Sequence, residues 1–120
     1  MHKVLFDKYG GFATVSRIVS AFYSEVLESE RLNPYFQGLD MRRLIDHQTK
    51  FIASIMGGPA SFSNEALERV HARLDIDEAS FDEVVKLLRF TLEDFDLEEG
   101  DISLIIREVV GRKRYIVTKP

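Results

Sequence analysis

The sequence predicts an all-α protein, and three observations carry that reading. Apolar residues recur at three-four spacing along the chain, the mark of helices with one buried stripe, and no sustained period-two stretch argues for a sheet. Glycine and proline fall between these stretches, at Gly10-Gly11, at Pro34 with Gly38, and at Gly57-Gly58-Pro59, where they punctuate helices. At 120 residues, 45% hydrophobic and 30% charged, the chain has the size and composition of one soluble domain spanning 1–120, with no linker, repeat or low-complexity tract.

The first long helix is expected from about Phe12 to Glu30, burying Val15, Ile18, Val19, Phe22, Val26 and Leu27, with Tyr23 on the same side. RLNPYFQGLD is too short and too broken for more than a turn. Arg42 to Met56 forms the next helix, stopped by Gly57-Gly58-Pro59. A short helix follows over about 64–74, with Leu67, Val70 and Leu74 on one face and His71 among them. Ser80-x-x-Glu83 reads as a capping box ahead of a helix that buries Phe81, Val84, Val85, Leu88, Leu92 and Phe95. Asp101 is expected to cap the last helix, whose Ile102, Ile105, Ile106, Val109 and Val110 turn inward.

Composition narrows the chemistry. Without cysteine, the chain can hold no disulfide, thiolate metal site or iron-sulfur cluster, so a metal must be bound by histidine, carboxylate or a cofactor. The formal charge of -4 argues against nucleic acid, and the basic run Arg112, Lys113 and Arg114 suits the negative end of a helix. No apolar run reaches the roughly 20 residues of a membrane helix, and MHKVLFDKYGG lacks a secretory h-region. The expectation is a cytoplasmic protein with no membrane association.

Two side chains break the apolar pattern. At ~100° per residue, Leu44, Gln48, Phe51, Ile52, Ile55 and Met56 share one helix face, with His47 at its edge and Arg43 and Lys50 a step beyond. Gln48 in the middle of that stripe needs a partner, since an unpaired buried polar group costs about 1–3 kcal/mol, and Tyr23 is a candidate. His71 points inward from an apolar face; it reads either as a hydrogen-bonded core residue or as a metal ligand. No HxxxH or histidine-carboxylate cluster supports bare zinc. Haem needs only one proximal histidine and a large apolar cleft, which Phe36, Phe51, Phe81, Val85 and Leu88 could line.

Taken in order, the motifs resemble the group I truncated haemoglobins, small globins with a two-over-two helical sandwich around a haem. LFDKYGG is similar to the family's opening LYEKIGG, AFYSEVL to KFYERVL, RLNPYFQGLDM to R..PFF.GVDM, FIASIMGGP to FLTYAFGGP, and VHARLDIDEASFDEV to AHARLGLTDEHFDAV. The likeness runs from about Leu5 to Val117. It implies that His71 is the proximal iron ligand, that Phe36 packs on the haem, and that the helix from Arg42 to Met56 is the distal wall. There Tyr23 and Gln48 would donate to bound dioxygen. Leu44 stands where relatives often carry glutamine, so one further donor is missing.

His47 departs from the commoner residue, and the resemblance leaves it two roles: sixth iron ligand in a bis-histidyl haem, as in some relatives, or partner of a haem propionate. Arg43, Lys50 and Arg73 are further propionate candidates. VVGRKRYIV contains no histidine to attach a haem vinyl, so the expected cofactor is noncovalent haem b. The implied function is reversible binding of O2, CO and NO. Nitric oxide dioxygenation is the possible enzyme activity and needs a separate, unidentified reductase. Electron transfer or sensing is the alternative, a haem-free helical interaction module is a remoter one, and no motif supports a Ser-His-Asp hydrolase.

Overall fold

A computed structural model describes residues 4–59 and 75–117, and every regular element among them is a helix. These are α1 (Leu5–Lys8), α2 (Gly11–Glu28), a 3-10 turn (Asn33–Phe36), α3 (Met41–Ile55), α4 (Glu78–Asp94), α5 (Glu99–Val110) and α6 (Lys113–Ile116). The short helix expected over 64–74, with His71 and Arg73, lies outside the described residues. Among those described, no helix is long and apolar enough to cross a membrane.

Helix α2 packs along α3 and crosses to α4, which packs along α5; the two helix pairs are layered two over two. Val15, Ile18 and Val26 of α2 are wholly buried, each contributing roughly 1.5–3 kcal/mol by leaving water. Packed with them in the core are Phe51 and Ile52 from α3, Met56 at its C-cap, Phe81, Leu88 and Leu92 from α4, and Ile102, Ile105 and Val109 from α5. Val84, Val85, Phe95 and Ile106 pack around this core half-buried. Two residues expected inside are not: Leu27 is 38% exposed and Val110 44%. Each follows a buried valine by one residue, and the ~100° turn carries it off the stripe.

The helix starts differ from expectation at two points. Helix α4 begins three residues before the predicted box, capped by Asp77, whose carboxylate accepts from the Ser80 N–H at 2.8 Å. A carboxylate at the positive end of a helix is the stronger acceptor, and Ser80 is left within the first turn, 1% exposed. Asp101 likewise sits inside α5, after the N-cap Glu98. Its carboxylate accepts from Tyr9 Oη at 2.5 Å and Lys8 Nζ at 2.8 Å, while Tyr9 Oη itself accepts from the Glu98 N–H at 3.0 Å. This clip ties α1 to the start of α5.

The second glycine pair ends α3 as expected, by a defined motif. The Gly58 N–H donates to Ala53 O at 2.8 Å and the Gly57 N–H to Ser54 O at 3.2 Å, with Gly57 at φ +86°, the paired bonds of a Schellman cap. Of the basic run, Arg112 meets the end of α5 as expected, its Nη1 donating to Glu108 O at 2.7 Å, whereas Lys113 pairs with Glu78 in the first turn of α4.

Candidate functional site

The buried face of α2 carries Tyr23, 8% exposed, between two other rings. Phe22 meets it edge-on at 4.9 Å between centroids, and Phe36, presented by the 3-10 turn, at 5.7 Å and 73°. Pro34 at the start of that turn supplies a fixed φ and no N–H, so the chain passes tightly from α2 to α3 and sets Phe36 over the tyrosine. Burial pushes the Tyr23 phenol well above its ordinary pKa, so it stands as a neutral O–H donor.

Across from α2, Gln48 lies on the buried face of α3, 9% exposed, with Phe51 and Ile52. Helix α3 starts at Asp40, whose side chain accepts from the Arg43 N–H at 3.3 Å. Leu44, one turn before Gln48, is half-buried. The hydrogen bond expected between Tyr23 and Gln48 is not formed. Among the described residues neither the phenol nor the amide has a hydrogen-bond partner. A buried polar group left unpaired costs about 1–3 kcal/mol, so each of the two calls for a partner from outside the described residues.

The remaining predicted residues divide by exposure. Phe51, Phe81 and Leu88 are buried, Phe36 and Val85 half-buried. Cations cover two of the rings, with the Arg112 guanidinium 5.9 Å from the centroid of Phe51 and Lys113 Nζ 5.8 Å from that of Phe81. His47, Arg43 and Lys50 are exposed on α3, and Lys50 pairs with Asp46 at 3.4 Å. His71 and Arg73 lie outside the described residues.

Two contacts near the site escaped the sequence reading. Tyr35, adjacent to Phe36, pairs its hydroxyl with Ser80 Oγ at 3.1 Å, and Ser29 Oγ donates to Glu83 at 3.2 Å. The available signal was the phenol at Tyr35, where the similar segment quoted above has phenylalanine.

Layered helix pairs, with a buried phenol and amide on α2 and α3, define an all-helical protein of the two-over-two globin class. The comparisons agree. The 2/2 haemoglobin of Synechococcus sp. PCC 7002, solved in the cyanomet state with covalently attached haem, superposes with a TM-score of 0.89 at 27% identity, covering 98% of this chain and 100% of that one. The group 1 truncated haemoglobin of Tetrahymena pyriformis is 26% identical over 101 residues, 84% of each chain. That of Synechocystis is 28% identical over 111 residues, 89% of each. The chain belongs to the bacterial-like globin family, whose pattern it matches over residues 4–116.

Proposed function

We propose that this chain is a truncated haemoglobin that holds noncovalent haem b through His71 and binds O2, CO and NO reversibly. The observation that carries the reading is the pair of buried donors, Tyr23 and Gln48, which have no partner among the described residues. An apolar surround of Phe36, Phe51, Phe81, Val85 and Leu88 fits a flat, oily cofactor, and its relatives are haemoglobins.

Haem supplies a metal at which a diatomic ligand binds and takes on partial negative charge. The chain's own task is to place donors toward that charge and exclude water. Tyr23, held neutral by burial, offers one O–H, and the Gln48 amide offers N–H. Such bonds to a charged acceptor are about twice as strong as neutral ones, so the pair favours O2, on which charge develops, over CO. Half-buried Leu44 adds bulk without a donor. Arg43 and Arg73 are the candidates for the propionates, ahead of Lys50, which Asp46 already engages.

His47 precedes Gln48 on the same helix, and its proposed role is sixth iron ligand in the absence of external ligand; propionate pairing is the competing one. The deoxygenated ferrous spectrum separates them, since a single broad visible band means five-coordinate iron. Nitric oxide dioxygenation with an external reductase is the enzymatic form of the proposal. Rapid stoichiometric nitrate formation on mixing the oxygenated protein with NO supports it, and a slow reaction favours sensing or electron transfer.

Cofactor uptake decides the central claim. Added hemin should give a strong Soret band that His71→Gly weakens in imidazole-free buffer, and acid extraction should release the pigment. A colourless chain that takes up no hemin defeats the proposal.

A further inference from the structure

The 3-10 turn that presents Phe36 is moored to α4 at both ends. Ser29 Oγ donates to Glu83 before the turn, at 3.2 Å, and Tyr35 Oη meets Ser80 Oγ within it, at 3.1 Å. Ser80 is a rigid anchor: it is 1% exposed, and its own N–H is held by the Asp77 carboxylate at 2.8 Å. Tyr35 and Phe36 are consecutive, so the phenol that grips α4 fixes the backbone from which the Phe36 ring reaches Tyr23, 5.7 Å away between centroids. Without the Tyr35 hydroxyl, the Ser80 hydroxyl is left buried with no partner among the described residues, and the turn is free to shift.

We infer that Tyr35 and Ser80 form a positioning pair that holds Phe36 against Tyr23 and thereby sets how fast a diatomic ligand leaves. Neither residue touches the ligand; the pair acts through Phe36 on the orientation of the Tyr23 hydroxyl. The inference rests on the reading of Tyr23 as a ligand donor. It also assigns a purpose to the placement of Ser80: the start of α4 sits under the turn, so α4 braces the side of the site that carries Phe36.

Tyr35→Phe deletes one oxygen and keeps the ring, and Ser80→Ala removes the other half. Two readouts apply to each variant: NMR cross-relaxation between the Phe36 and Tyr23 rings in the full chain as purified, and the O2 dissociation rate of the hemin-loaded, reduced chain. Loss of one hydrogen bond should weaken the ring contact and speed O2 release roughly two- to tenfold. The double variant should do no more than the larger single one, because both remove the same bond. Ring contact and O2 release as in the wild type, with only the melting temperature lowered, would show that the pair merely stabilises the fold and overturns the inference. Should Tyr35→Phe fail to fold, Ser80→Ala decides alone. If the wild-type chain takes up no hemin, the functional reading falls, while the ring-contact measurement still decides whether the pair positions Phe36.

Discussion

The Phe6 ring lies so close over Gly58 that a Cβ built there would stand 2.5 Å from Cδ1 and 2.8 Å from Cγ. Phe6 is fixed from the other side as well, since its N–H donates to Met56 O at 2.9 Å. The ring cannot retreat without breaking the seam between α1 and the end of α3. Gly58→Ala should therefore destabilise the chain by about 1–3 kcal/mol, the usual cost of overpacking a well-filled core. Urea denaturation checks this, and Gly100→Ala, where an added Cβ meets nothing within 4 Å, is the contrasting control.

Helix α4 ends in the same cap geometry as α3 but without glycine. The Leu97 N–H donates to Leu92 O at 3.2 Å and the Asp96 N–H to Glu93 O at 3.0 Å, with Asp96 at φ +61°. Aspartate tolerates this left-handed position less well than glycine does. Asp96→Gly should stabilise the chain by roughly 0.5–1 kcal/mol, read as a higher urea midpoint with an unchanged m-value.

The clip between α1 and α5 makes stability depend on pH at both ends. Hydrogen bonds from Lys8 and then Tyr9 hold the Asp101 carboxyl below its ordinary pKa. Its contribution is therefore present above the unfolded carboxylate pKa and lost as pH falls through the lower folded one. Lys8 is shifted upward, chiefly by its hydrogen bond to Asp101, and Tyr9 upward by burial and then by the same carboxylate. Their contributions are present below their unfolded values and lost as pH rises through the folded ones. The stability gap between wild type and Asp101→Asn should be level at neutral pH and close toward acid. Melting temperatures of both proteins across the pH range test it; a gap that persists at the acid end contradicts the clip.

The helices themselves were legible in the sequence, because three-four periodicity and glycine punctuation act locally. Gly11–Glu28 and Met41–Ile55 fall within two residues of the spans expected from those signals. The helix starts were misread where a cap competes with a distant partner. Ser80 looked like a cap because its spacing to Glu83 fits one, yet Asp77 takes that role and Ser80 answers to Tyr35, 45 residues away in sequence. Asp101 was drawn off in the same way by Tyr9, 92 residues away. The inward place of Tyr23 and Gln48 followed from the helical stripe, but their failure to bond each other did not, since it depends on how α2 and α3 dock.

A trade between stability and function should follow at Tyr23 and Gln48. On the proposed reading, both groups, buried without a hydrogen-bond partner among the described residues, are kept for the ligand, so in the haem-free chain they cost free energy, whereas apolar replacements of similar shape would not. Tyr23→Phe and Gln48→Leu should each raise the stability of the haem-free chain by about 1 kcal/mol. The two sites lie on packed helices, so the double variant need not show the sum. In the hemin-loaded chain the same substitutions, on the proposed reading, take away a donor to bound O2 and should speed its release by roughly tenfold or more, with little effect on CO. Stability and ligand affinity thus move in opposite directions at two positions, as expected where polar groups are kept for a ligand rather than for the fold. Haem-free variants that melt below the wild type would show that the phenol and amide are satisfied within the protein, and the case for them as ligand donors would fail with that result.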